Sequence, residues 1–142
     1  PEHTYIAGAS MGGYGALVHA MKDTEQYRAV GAFSPATVWA KDLEEKVGHK
    51  FPEPMDLYQI IRDDVDAGKK LPDIFFCVGN NDFLIESVDR FEEYLNELKI
   101  DHRFDRVDGY EHEWRFWELE LPEFLDWLPR TDSYAKMGKH KM

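Results

Sequence analysis

The sequence is short of cysteine, of cations and of long apolar runs, and each shortage excludes something. Its single cysteine, Cys77, has no partner for an internal disulfide and lies within an apolar run, so we expect an inert core thiol. Lysine and arginine number 17 against 28 aspartate and glutamate residues, which gives a formal net charge of -11. Because binding to a phosphate backbone needs a basic surface, we expect no nucleic acid among the partners.

Signals for membranes and secretion are also missing from the sequence. No stretch approaches the roughly 20 apolar residues that span a bilayer, so we expect no membrane partner. No signal peptide precedes the first apolar run. Our expectation for the location is cytoplasmic, although this end of the sequence does not itself indicate it. The sequence starts at Pro1, directly before that run, so we expect further residues upstream.

What the sequence does contain is an alternation of strand and helix patterns over 142 residues, 43% of them hydrophobic. Short apolar runs predict strands at residues 4–7, 29–33, 74–78 and 101–107. Helices are predicted at residues 12–21 and 87–98, and an aromatic-rich helix at residues 114–128 that breaks or restarts at Pro122. Because strands that alternate with helices pair in parallel, the predicted fold class is α/β, with helices on the faces of a parallel sheet.

Two segments depart from this alternation. Residues 35–72 form a long excursion, with helices predicted at residues 41–47 and 55–65. An insertion of that length is either a lid or pocket wall over a site or a surface excursion without a role, and the sequence leaves both open. Residues 131–142 are polar and lack periodicity, which predicts a disordered tail.

The stretch "GASMG" at residues 8–12 carries the strongest chemical signal. It matches the G-x-S-x-G nucleophile elbow, with a predicted strand before it and a predicted helix after it. Such an elbow exposes the oxygen of its serine, here Ser10, and needs small neighbours, which we assign to Gly8 and Gly12. The backbone N–H of Met11 would stand at a helix N-terminus and serve as an oxyanion donor.

A serine nucleophile needs a base and a group that orients it, in the chain order serine, acid, histidine. Asp82 follows the third predicted strand and His112 follows the fourth, so both fall at the edge where parallel sheets place their sites. Asp108 is the one rival for Asp82 by position. The other histidines fit surface or packing roles better: His3, His19, His49, His102 and His140.

These residue types predict acyl transfer through an acyl-enzyme, and our hypothesis for the reaction is hydrolysis of a small-molecule carboxylic ester, without a cofactor or metal. Trp39, Phe83 and Trp114 are candidate walls for a short acyl or aromatic group, and as large aromatics they fit a core role equally well. A thioesterase and a serine peptidase stay open, because a triad does not choose the leaving group. A binding module that keeps the scaffold without turnover is the alternative from another class, and the complete triad argues against it.

The blocks "GASMGGYGA", "VGNNDFL" and "DGYEHEWRFWELELPEFLDWLP" resemble the putative-esterase family of α/β-hydrolases. That family includes tributyrin, acetyl and feruloyl esterases and S-formylglutathione hydrolases, and the "HEW..W" block is most similar to the tributyrin-esterase branch. The resemblance implies Ser10 as nucleophile, Asp82 as the orienting acid and His112 as base. It also implies that residues 1–130 are the C-terminal portion of one α/β-hydrolase domain.

One departure from the family concerns length. Members run to roughly 250 residues and have several strands before the elbow, whereas here the elbow strand comes first. We therefore expect a missing N-terminal half or a complementary chain, which would carry the second oxyanion donor. The open apolar strand edge would otherwise favour self-association, as a homo-oligomer or an aggregate.

Overall fold

Four strands alternate with four helices over the part of the chain that the structure, a computed structural model, describes: residues 3–37 and 57–129. In chain order the elements are β1 (Tyr5–Ala9), α1 (Met11–Lys22), β2 (Ala29–Phe33), α2 (Leu57–Asp66), β3 (Asp73–Gly79), α3 (Ile85–Glu97), β4 (Arg103–Val107) and α4 (Trp114–Trp127). The strands form one parallel sheet in the order β1-β2-β3-β4. The predicted α/β class is confirmed.

The parallel register aligns the carboxyl ends of the strands. Ala9 pairs with Phe33, Phe33 with Cys77, and Gly79 with Val107. The loops that follow the strands therefore leave the sheet at one common edge. On the far side of β1, no strand pairs within residues 3–37 and 57–129.

Side chains of β3 alternate between two cores, one on each face of the sheet. On one face Ile74, Phe76 and Val78 pack with buried residues of α1, α2 and α3. On the other face Phe75 and Cys77 pack beneath α4. Burial raises the pKa of the Cys77 thiol well above its ordinary value, which keeps the thiol protonated and unreactive as expected.

The predicted elements agree with the structure except at the last helix. We expected a break at Pro122, whereas α4 is one helix that contains this proline. Proline removes a hydrogen bond to the carbonyl of Glu118, and both residues are exposed, so water can satisfy that carbonyl. Phe116 and Phe124, buried on either side of the proline, hold the helix on the sheet.

The excursion is described in part. The second predicted helix is present as α2, which packs on α1. The first, at residues 41–47, and the predicted tail at residues 131–142 lie outside the described residues. The choice between lid and surface excursion thus stays a prediction. Within the described ranges no helix is both long and apolar enough to cross a bilayer.

A buried carboxyl group lies between α4 and β4. Glu120 is 2% exposed, and its Oε1 atom has no hydrogen-bond partner. Its carboxyl group interacts with that of Asp105, which receives two hydrogen bonds from Arg103, at 3.0 and 2.8 Å. Burial, and after it the contact with Asp105, raises the pKa of Glu120 to about 8. Glu120 is therefore protonated in the folded protein at neutral pH.

This carboxyl group should make folding pH-dependent. Between its ordinary pKa of 4.5 and about 8, the folded protein keeps a proton that the unfolded chain has released. The free energy of unfolding should therefore fall as the pH rises through that range. Glu120→Gln removes the titration, so its stability relative to wild type should increase from pH 5 to pH 9 in urea unfolding. Glu118→Gln, on the exposed side of α4, is the control; a constant difference for Glu120→Gln would contradict the assignment.

Candidate active site

Ser10 lies in a tight turn between β1 and α1. Its φ of 56° is in the left-handed region, and its N–H donates to the carbonyl of Phe33 at 2.9 Å. The turn brings Gly8 and Gly12 so close that a Cβ at Gly8 would lie 2.2 Å from the Gly12 carbonyl oxygen. A Cβ at Gly12 would meet no described atom within 4 Å. The expected need for glycine thus holds at Gly8. It is wrong at Gly12, because Gly8 approaches the backbone of Gly12 and not the place that a side chain there would occupy.

Asp82 follows β3, and its side chain is fully buried. Its Oδ1 atom accepts the N–H of Leu84 at 2.8 Å, and its Oδ2 atom accepts Nδ1–H of His112 at 2.8 Å. Its backbone carbonyl also accepts the N–H of Ile85, the first residue of α3. Both carboxylate oxygens are therefore occupied. Asp108, the positional rival, is exposed.

His112 lies in the loop between β4 and α4 and joins the other two residues. Its Nε2 atom accepts the O–H of Ser10 at 2.8 Å, while Nδ1–H donates to Asp82. Its side chain is 19% exposed, so part of the ring is accessible from outside. The structure brings together the three residues that the sequence singled out. Because Nδ1 carries the proton that binds Asp82, Nε2 is free to accept the proton of Ser10.

The loops after β3 and β4 pack tightly against each other. The N–H groups of Asn80 and Asn81 donate to the carbonyls of Val107 and Tyr110, each at 2.9 Å. A Cβ at Gly79 would lie 2.2 Å from the Tyr110 carbonyl oxygen. Glycine at this position therefore lets the loop that carries His112 reach the loop that carries Asp82.

Three exposed apolar residues neighbour the site, by contact with His112, by contact with Trp117 or by position next to Ser10 in the chain. Phe83 is 78% exposed, with its ring centroid 5.0 Å from that of His112. Trp114 is 74% exposed, and the Met11 side chain, beside the elbow, is 69% exposed. Their position at the site fits a substrate-contacting role, which stays a prediction. Trp39 lies outside the described residues.

Sequence reasoning missed Trp117. Its ring stands at 89° to that of His112, with the centroids 5.2 Å apart, and its Nε1–H donates to Ser34 Oγ at 2.9 Å. The available signal was a second tryptophan one helical turn after Trp114, in the same "HEW..W" block. Ser34, at the end of β2, had no distinguishing pattern. Over the described ranges, no three His, Cys, Asp or Glu side chains are grouped so that they could hold a metal ion.

A parallel sheet with a strained serine turn, a histidine and a buried aspartate at the carboxyl ends of its strands defines the α/β-hydrolase class. Within that class the chain belongs to the family described as "Putative esterase", whose match covers residues 1–128.

Similar proteins agree with this family. An acetyl esterase of Caldicellulosiruptor saccharolyticus is 26% identical over 151 residues, covering 93% of this chain and 56% of that protein. An S-formylglutathione hydrolase of Agrobacterium tumefaciens is 25% identical with a TM-score of 0.67, covering 87% of this chain and 47% of the other. The fluorophosphonate-binding serine hydrolase F of Staphylococcus aureus is 22% identical with a TM-score of 0.70, covering 82% and 50%. The chain thus spans about half the length of these relatives.

The contact at Gly79 gives a stability prediction. Gly79→Ala places a methyl group against the backbone of Tyr110, so the loop must move or the strand must bend. We expect the free energy of unfolding to fall by about 1–3 kcal/mol, as for other overpacked sites. Gly15→Ala is the matched control, because a Cβ there meets no described atom within 4 Å. Equal unfolding midpoints for Gly79→Ala and wild type in urea would rule out the close approach.

Proposed function

We propose that the protein hydrolyses carboxylic esters through an acyl-enzyme formed on Ser10. The observation that carries the proposal is the continuous hydrogen-bonded chain from Ser10 Oγ through His112 to Asp82, with both distances 2.8 Å. Membership of the esterase family and the likeness to an acetyl esterase support the same chemistry. A chain of this kind activates a hydroxyl that is otherwise a weak nucleophile.

In the first half of the reaction, His112 Nε2 takes the proton of Ser10 as Oγ attacks the ester carbonyl. The tetrahedral intermediate collapses when the imidazolium gives its proton to the leaving alcohol. In the second half, water loses a proton to the same nitrogen and attacks the acyl carbonyl. The bond from the acyl carbon to Ser10 Oγ then breaks as the imidazolium returns the proton to Oγ, and the acid is released. Asp82 accepts Nδ1–H throughout, which fixes the tautomer and stabilises the imidazolium.

The oxyanion donor in this proposal is the backbone N–H of Met11. Met11 is the first residue of α1, so its N–H has no carbonyl one turn earlier in the helix to bind. The N-terminus of α1 also carries positive partial charge. Because Met11 directly follows the nucleophile, its N–H is positioned to meet the oxygen of an ester bound at Ser10.

The surroundings of His112 favour a short acyl or an aromatic acid group. Phe83 offers exposed aromatic surface next to the imidazole, and Trp114 offers exposed aromatic surface against the Trp117 ring. Met11, the residue after Ser10, adds exposed apolar surface. Such side chains bind hydrocarbon groups by excluding water. The acetyl esterase likeness fits the short-chain alternative. Trp39 remains a candidate for the same wall.

A thioesterase is the second candidate, and the likeness to an S-formylglutathione hydrolase favours it. The proposed chemistry at Ser10 is the same for an oxygen or a sulfur leaving group. Rates on an ester and a thioester that share one acyl group separate the two. A higher kcat/KM for the ester fits the proposal, whereas a higher value for the thioester replaces it.

Loss of either reacting side chain should abolish activity. Ser10→Ala and His112→Ala should each lower kcat on p-nitrophenyl acetate by at least about 10³-fold, because nucleophile and base act as a unit. Both should also block labelling by a fluorophosphonate probe, which reacts with activated serines. His19→Ala, an exposed histidine of α1, is the control and should behave as wild type. Retention of more than a few per cent of activity in Ser10→Ala would disprove the assignment, and an unlabelled wild type would favour a binding module.

A further inference from the structure

We propose that Trp117 and Ser34 form a positioning pair that holds the imidazole of His112 in line with Ser10 and Asp82. The role assigned to His112 rests on the proposed function. Neither residue touches the reacting atoms in this proposal, and the pair acts on the histidine alone. Two contacts support the proposal: the indole N–H of Trp117 donates to Ser34 Oγ, and the indole ring packs on the imidazole of His112.

The two hydrogen bonds of His112 leave one motion of its ring unopposed. They act at Nδ1 and Nε2, so the ring can still tilt about the line that joins these two atoms. A ring standing at 89° to the imidazole, with the centroids 5.2 Å apart, opposes such a tilt on its side. Phe83 also contacts the imidazole, but it is 78% exposed and has little packing to hold it. Trp117, half-buried on α4, is the firmer support.

The indole in turn is held by a rigid acceptor. Ser34 is fully buried, and its N–H donates to the carbonyl of Cys77 at 2.8 Å. Its φ of 47° lies in the left-handed region, which is strained for a residue other than glycine. Glycine adopts this backbone conformation without strain, but it has no hydroxyl group. In the structure the Ser34 hydroxyl accepts the hydrogen bond from Trp117, which explains why serine occupies this position.

The end of β2 thereby supports both reacting residues. The carbonyl of Phe33 accepts the N–H of Ser10 at 2.9 Å, and the next residue, Ser34, accepts the N–H of Trp117 at 2.9 Å. One peptide unit thus connects the backbone of the nucleophile with the side chain that packs on the base. A shift at this point would change the geometry between Ser10 and His112, where errors of about 1 Å cost up to 10²-fold in rate.

Substitutions separate this role from a packing role. Trp117→Phe keeps an aromatic ring but removes the N–H donor, and Ser34→Ala removes the acceptor. Each should lower kcat for p-nitrophenyl acetate about tenfold with KM unchanged, because alignment and not binding is lost. The double variant should lose no more than either single variant, since the two residues share one interaction. Trp127→Phe is the control, because Trp127 lies on the same helix but packs on Phe75 and Phe124.

Ser34→Gly sharpens the comparison. Glycine relieves the left-handed strain while removing the hydroxyl, so its unfolding midpoint in urea should equal or exceed that of Ser34→Ala. Its kcat should nevertheless be as low as that of Ser34→Ala. A merely structural role for Ser34 predicts the opposite, namely that activity follows stability across the three forms.

A measurement without turnover tests the proposal in the full chain. The carbon-bound proton signals of the His112 ring should broaden or shift in Trp117→Phe and Ser34→Ala, and stay as in wild type in Trp127→Phe. Unchanged signals, or unchanged kcat in an active enzyme, would overturn the positioning role. If wild type neither hydrolyses esters nor reacts with a fluorophosphonate, the proposed function fails, and the ring signals still decide whether the pair holds His112.

Discussion

Parallel strand pairing is the constraint on which the site depends. Ser10, Asp82 and His112 are far apart in sequence, and each follows a different strand of one sheet. Because all four strands run in the same direction, their ends meet at one edge and the three loops converge. Parallel strands must be joined by crossing connections, and in α/β proteins these are usually helices. The helices that pack on the two faces of the sheet are therefore the means by which the site is assembled.

The same edge concentrates backbone strain. Ser10 and Ser34, the residues directly after β1 and β2, both have positive φ angles. Strain of this kind persists only where surrounding contacts outweigh it. Here those contacts are backbone hydrogen bonds between neighbouring strand ends, from Ser10 to Phe33 and from Ser34 to Cys77. Strained turns and close glycine contacts together place side chains in positions that relaxed turns do not reach.

Sequence reasoning predicted most of this arrangement because its signals are local. Apolar runs located the strands, and the glycine pattern around Ser10 located the turn. The order of Asp82 and His112 after later strands followed from topology once parallel pairing was assumed. The contact between Trp117 and Ser34 had no such signal, because it joins residues 83 positions apart and leaves no local pattern. The continuity of α4 through Pro122 was missed for a related reason, since tertiary packing on both sides of the proline overrode its local preference.

The three residues of the site are held in different ways, and the difference fits their proposed tasks. Backbone hydrogen bonds hold Ser10 at the turn, and the carboxylate of Asp82 accepts a backbone N–H from Leu84. The imidazole of His112 is held by side chains: one carboxylate, one hydroxyl and two aromatic rings. A nucleophile and an orienting acid act from one place, whereas the base of an acyl transfer must serve the serine first and the leaving group next. Contacts with aromatic rings restrain the tilt of the imidazole without fixing its hydrogen-bond partners, so this histidine can change partners while it stays in line.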